Sequence, residues 1–90
     1  MTDGVFSVRI MSPKACVWEA SEVIALSAQN STGEFDILPD HARFMSLISP
    51  APIMIELKDG TNKEFTFENS LLSCDENAVV IYIQEDLEQA

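Results

Sequence analysis

The chain has ninety residues, room for one domain, and 47% of them are hydrophobic, which argues against disorder and for a thin but adequate core. Five basic against fifteen acidic residues give a net charge of −10. The basic residues Arg9, Lys14, Arg43, Lys58 and Lys63 are scattered singly, so no basic stripe exists to neutralise phosphates, and nucleic-acid binding and direct docking on anionic lipid are both disfavoured.

The N-terminal Met1-Thr2-Asp3-Gly4 lacks the basic region and apolar run of a targeting segment. No apolar run approaches the ~18 residues of a membrane span, so direct membrane insertion is not expected. Phe6, Val8 and Ile10 alternate with Ser7 and Arg9, which predicts a half-buried strand. Ser12-Pro13-Lys14 is a turn signal, and Cys16-Val17-Trp18 reads as a second short strand. Glu22 to Gln29 reads as a third, with Ile24, Leu26 and Ala28 on one face, and Asn30-Ser31-Thr32-Gly33 as a loop. Two short apolar runs follow, Glu34 to Leu38 and Arg43 to Ile48, split by Pro39-Asp40-His41-Ala42. Ile53, Ile55 and Leu57 alternate with Met54 and Glu56 before a hairpin loop at Lys58-Asp59-Gly60-Thr61-Asn62, where Asp-Gly tolerates positive φ. Phe65 and Phe67 alternate with Glu64, Thr66 and Glu68. Leu71 to Cys74 and Ala78 to Ile83 flank a second hairpin turn at Asp75-Glu76-Asn77. Only the polar end, residues 84–90, has any helical character, and it is too short to be stable alone. About eight or nine short strands with frequent turns predict an all-β sandwich or barrel in a single domain over residues 1–90, with 85–90 a polar tail. Val79-Val80-Ile81-Tyr82 is apolar on both faces, so that strand is expected to be covered by a second sheet or by a partner. Met45, Phe65, Phe67 and Tyr82 are read as core.

Chemistry-bearing residues are few. One histidine, His41, stands near Asp36 and Asp40, which is short of the converging ligands a metal site needs. Nothing pairs His41 with a nucleophile. Gly4, Gly33 and Gly60 are isolated, so there is no phosphate-cradling loop. Cys16 and Cys74 have no metal-binding spacing and are expected to be buried free thiols. The expectation is therefore no catalytic residue, no cofactor and no metal.

The segment Thr32 to Ala42 is distinctive. Gly33 permits a left-handed turn, Pro39 pushes Leu38 to extended backbone, and Pro39-Asp40 suits the middle of a turn. Such a segment is either a bend between sheets or a presented contact loop with an exposed acid, Glu34, and a histidine.

Gly33-Glu34-Phe35-Asp36-Ile37-Leu38-Pro39-Asp40-His41-Ala42 resembles the G-E-x-G-I-L-P-G-H-A signature of the epsilon subunits of F-type ATP synthases, called delta in mitochondria. Val8 to Pro13, Trp18 to Ala28, and Leu71-Leu72 with Asn77 to Ile81 resemble the flanking strands of that family. Asp36 and Asp40 stand where the family has glycine, Arg43 where proline is common, and Asn69-Ser70 where Gly-Gly is frequent. The resemblance implies an antiparallel β-sandwich of about ten short strands. It implies a non-catalytic subunit of the central rotor stalk of a proton-translocating synthase. That subunit binds the gamma subunit and the c-subunit ring, and the alpha/beta hexamer indirectly, and helps couple ion flow to ATP synthesis. It further implies a peripheral complex on the cytoplasmic face of a bacterial plasma membrane. Glu34 and His41 are implied as ring contacts, with Phe35 and Asp40 beside them. A chain ending at Ala90, whether naturally short or cut, lacks the family's two C-terminal helices and is expected not to inhibit ATP hydrolysis by extending them. Two other readings stand beside this one, a β-sandwich adaptor outside the synthase and a small jelly-roll enzyme using His41.

Overall fold

Alternation of apolar and polar residues turns into a core wherever strands pair in register, and it does so here from the first strand. In the computed structural model, which describes residues 4–39 and 43–84, Phe6, Val8 and Ile10 are buried while Arg9 between them is exposed. Eight strands follow in order among the described residues: β1 (Phe6–Met11), β2 (Cys16–Asn30), β3 (Gly33–Ile37), β4 (Phe44–Ile48), β5 (Ile53–Leu57), β6 (Asn62–Phe65), β7 (Ser70–Asp75) and β8 (Ala78–Ile83). No helix occurs among these residues, so none is long and apolar enough to cross a membrane. The predicted polar tail, 85–90, lies outside them, as do Asp40 and His41.

The strands hydrogen-bond in the order β4-β7-β8-β1-β2-β5-β6, with β3 also on β2. The long β2 joins two halves. Cys16 to Val23 pairs with β1, whereas Val23 to Ser27 pairs with β5 and Leu26 to Asn30 with β3. The register slips in both ladders near Val23, between Phe6 and Val8 on β1 and between Val23 and Ala25 on β2. Such irregularities bend and twist a strand. The inward residues of both halves, from Val8, Ile10 and Ile81 to Leu26, Ile37 and Ile55, form one buried cluster. At the far end of β2 the Ser49 amide donates to the Gln29 carbonyl at 2.8 Å, and Asn30 Nδ2 donates to Ser46 Oγ at 3.0 Å. These bonds join the end of β4 to the end of β2 and close the two halves on one another.

The all-β sandwich is as expected, with differences in detail. The two predicted strands Cys16–Trp18 and Glu22–Gln29 are one strand of 15 residues, because nothing in Glu19-Ala20-Ser21 obliges a break. The strand over Phe65 and Phe67 ends at Phe65. The first and last strands, β1 and β8, pair in parallel from Ser7↔Ala78 to Met11↔Tyr82, while the other pairs are antiparallel. Hairpin signals report neighbours in sequence, so this long-range parallel pair left no local trace. Cys16 and Cys74 are free thiols, but only Cys74 is buried. Cys16 faces solvent, opposite Met11.

Candidate functional site

The β2–β3 hairpin presents the acid singled out by sequence. Asn30 and Gly33 pair across a loop of Ser31 and Thr32. The Asn30 Oδ1 accepts the Thr32 amide at 2.9 Å and the Thr32 hydroxyl at 2.7 Å, a side-chain mimic of a backbone turn. Gly33 takes φ 129°, a left-handed value that disfavours side-chain-bearing residues. From there β3 alternates. Phe35 and Ile37 turn inward, opposite Ala28 and Leu26, while Glu34 and Asp36 are exposed opposite Gln29 and Ser27. Ser27 donates its hydroxyl to Asp36 Oδ1 at 2.7 Å. Phe35 is half-buried, and its ring meets that of Phe44 edge-on, with centroids 5.8 Å apart and planes at 84°. Leu38 then emerges, 55% exposed. Arg43 Nε stands 3.0 Å from Asp75 Oδ1 where the chain enters β4. Glu34 and Phe35 are thus adjacent but face opposite ways. Whether Asp40 and His41 join Glu34 is outside the described residues.

A second surface contains β8, the strand expected to be covered on both faces. On the outer side of β4, β7, β8 and β1 the registers align Leu47, Leu71, Tyr82 and Met11 in one row, and Met45, Ser73, Val80 and Arg9 in the next. Leu47 is 75% exposed, Met45 64% and Tyr82 48%. Of the four side chains read as core, Phe67 is buried and Phe65 half-buried, but Met45 and Tyr82 are on the surface. The apolar run at Val79 to Tyr82 was the signal that a second cover was needed. Val79 and Ile81 face the core, while Val80 and Tyr82 face outward. Exposed apolar side chains grouped on one face are the kind of surface that a partner can cover.

Chemically the described residues offer contacts more than proton transfer. A hollow of about 530 Å³ is lined by Ser7, Arg9, Glu19, Ala20, Ser21 and Ala78 among others. Its charged wall is the exposed Arg9–Glu19 pair at 3.3 Å. Among the described residues no three His, Cys, Asp or Glu side chains gather as they would around a metal ion.

Comparison with known proteins agrees with this architecture. A family model described as "ATP synthase, Delta/Epsilon chain, beta-sandwich domain" matches residues 5–88. The ATP synthase epsilon chain of Nitratiruptor sp. is 27% identical over 77 residues, covering 86% of this chain and 59% of the relative. The mitochondrial ATP synthase subunit delta of Trypanosoma brucei brucei is 32% identical over 74 residues, covering 76% and 41%. The chain therefore spans about half the length of the curated relatives it matches. In fold it resembles a chain in the OSCP/F1/c-ring structure of the Euglena gracilis mitochondrial ATP synthase, with a TM-score of 0.83 at 14% identity, over 94% of this chain and 53% of that one.

Proposed function

We propose that this chain, which belongs to the β-sandwich family of ATP synthase delta/epsilon chains, is a non-catalytic subunit of the rotor stalk of a proton-translocating F-type ATP synthase. In this reading it binds the gamma subunit on one side and the c-subunit ring at one end, and the alpha/beta hexamer indirectly. It thereby helps couple ion flow to ATP synthesis on the cytoplasmic face of a bacterial plasma membrane. The observation that carries the reading is the family match over residues 5–88.

Two unlike surfaces support the assignment of partners. The apolar rows around Leu47 and Tyr82 suit a lasting protein interface, whose centre is typically depleted of charge and rich in aromatic residues and Met; we assign them to gamma. The exposed acid of the β2–β3 hairpin suits a polar contact that orients more than it binds; we assign Glu34, with Asp40 and His41, to the loops of the ring, with Phe35 beside them turned inward. An exposed ion pair at Glu34 contributes about 0–1 kcal/mol, so docking strength comes from the apolar side and register from the acidic end.

The test is a pull-down from detergent-solubilised membranes of the source organism with the tagged chain, read by mass spectrometry. Recovery of gamma, followed by alpha, beta and c, is expected. Recovery of none of these from membranes that contain intact synthase would overturn the reading in favour of an adaptor outside the synthase.

A further inference from the structure

We infer that Phe35 and Phe44 are positioning residues for Glu34 and that Phe35 acts on docking through its neighbour, not by touching the ring itself. The inference rests on the reading of Glu34 as a ring contact and adds how this chain holds that side chain outward. Strand β3 is five residues long and, among the described residues, pairs only with β2. The register of such a strand is set by its buried face, here Phe35 and Ile37, and a slip of one residue moves every side chain to the opposite face. Such a slip would turn Glu34 into the sandwich.

Three contacts oppose it. The Phe35 ring is clasped edge-on by Phe44 at 5.8 Å. Phe44 is the first residue of β4, anchored on β7 opposite Cys74. Arg43, immediately before it, reaches Asp75 at 3.0 Å. On the outer side, Ser27 holds Asp36 at 2.7 Å. The strand that enters the 38–43 connection is therefore pinned to the strand that leaves it, and β-pleat alternation then leaves Glu34 no direction but outward. Phe35 occupies a position that the family signature leaves open, so the clasp belongs to this chain rather than to the signature.

The experiment measures equilibrium binding of the full natural chain to two separate probes, detergent-solubilised c-subunit ring and purified gamma subunit. Glu34→Gln is expected to weaken ring binding about two- to fivefold, the range an exposed ion pair spans. Phe35→Ser is expected to weaken it by a similar factor while gamma binding stays within about twofold. The decisive comparison is the double variant. In the Glu34→Gln background Phe35→Ser should add nothing, because a positioning residue has nothing left to position. Phe35→Leu, which keeps an inward apolar side chain, should fall between wild type and Phe35→Ser, and it keeps the test open if Phe35→Ser fails to fold. Equal losses in both backgrounds, or no loss with either Phe35 variant, would overturn the inference while leaving Glu34 as a contact. A wild-type chain that binds gamma but not the ring would remove the reading beneath it.

Discussion

The ring of Trp18 lies 5.2 Å from that of Phe65, tilted by 57°, although Trp18 is on the part of β2 that pairs with β1 and Phe65 ends β6 at the far edge of the hydrogen-bonding order. Phe65 in turn stacks on Phe67, with centroids 6.0 Å apart and planes within 11°. No backbone hydrogen-bond ladder connects β6 with β1 or with the start of β2. The aromatic trio joins the two halves where the ladder does not, and so substitutes for sheet pairing at that corner.

The contact predicts a coupling that can be measured. Trp18→Ala and Phe65→Ala should each lower stability by about 2–4 kcal/mol, a little below the cost of truncating a fully buried aromatic, since both rings are only partly covered. The double variant should lose less than the sum, by about 0.5–1.5 kcal/mol, the usual worth of an aromatic pair beyond its buried area. Urea denaturation of the four proteins checks this, and strict additivity would show that the rings touch without cooperating.

Much of the fold was legible because it is written locally. Phe6, Val8 and Ile10 alternate, and all three are buried. Asp59-Gly60 sits in a hairpin, with φ 94° at the glycine. What alternation cannot convey is which of a strand's two sides acquires a second layer. Tyr82 and Phe65 both read as core in the sequence, yet Tyr82 opens to solvent and Phe65 packs on Trp18. The outcome depends on β1 pairing with β8, a contact between the two ends of the chain. At the candidate site, Gly33 announced the turn and Glu34 its exposed acid. The Phe35–Phe44 clasp is a contact between side chains on different strands and has no local signature.

If the outer rows of β4, β7 and β8 are the gamma-binding side, charge placed there should separate binding from folding. Leu47 and Tyr82 are well exposed, so Leu47→Asp or Tyr82→Asp should change stability by less than about 0.5–1 kcal/mol. Either should weaken gamma binding at least about tenfold, since burying an unpaired carboxylate at the centre of an interface is costly. Calorimetry with purified gamma gives the affinity, and thermal melts give the stability. Unchanged affinity would move the interface elsewhere on the sandwich.

Glu76 carries φ 59° in the β7–β8 turn, the left-handed region that side chains beyond glycine, Asn and Asp rarely enter. Glu76→Gly should therefore stabilise the chain by about 0.5–1 kcal/mol, the relief of the left-handed strain less the glycine's own entropy loss. Glu76→Val should destabilise it by more than the glycine gains. Urea midpoints at neutral pH decide both.

The two thiols should behave oppositely. Cys16 is exposed at the rim of the outer face, whereas Cys74 is buried on β7. Burial, and then the Asp75 carboxylate beside it, pushes the Cys74 thiol above its usual range, which reduces the reactive thiolate further. Ellman's reagent should titrate one thiol in the native chain and two in denaturant. Cys16→Ser should leave the native chain unreactive on the timescale of minutes.

The β5–β6 hairpin supplies a pH dependence whose sign can be worked out. The Thr61 amide donates to Asp59 Oδ1 at 2.9 Å. That bond, and then the Thr61 hydroxyl, hold the Asp59 carboxyl below the ordinary aspartate range. A carboxyl that is more acidic folded than unfolded releases its proton more readily in the native state. Its contribution is therefore complete above the unfolded value of about 3.9 and is lost as pH falls through the lower folded value. Because Asp59 is fully exposed, the effect is small and belongs to the hairpin more than to the sandwich. A carboxyl-carbon NMR titration should show Asp59 titrating below the ordinary aspartate value. Wild type should exceed Asp59→Asn in urea midpoint by a constant amount above about pH 5, and the difference should shrink as the solution is acidified. A difference that grew on acidification would mean that Asp59 is bonded in its protonated form and that the turn is held some other way.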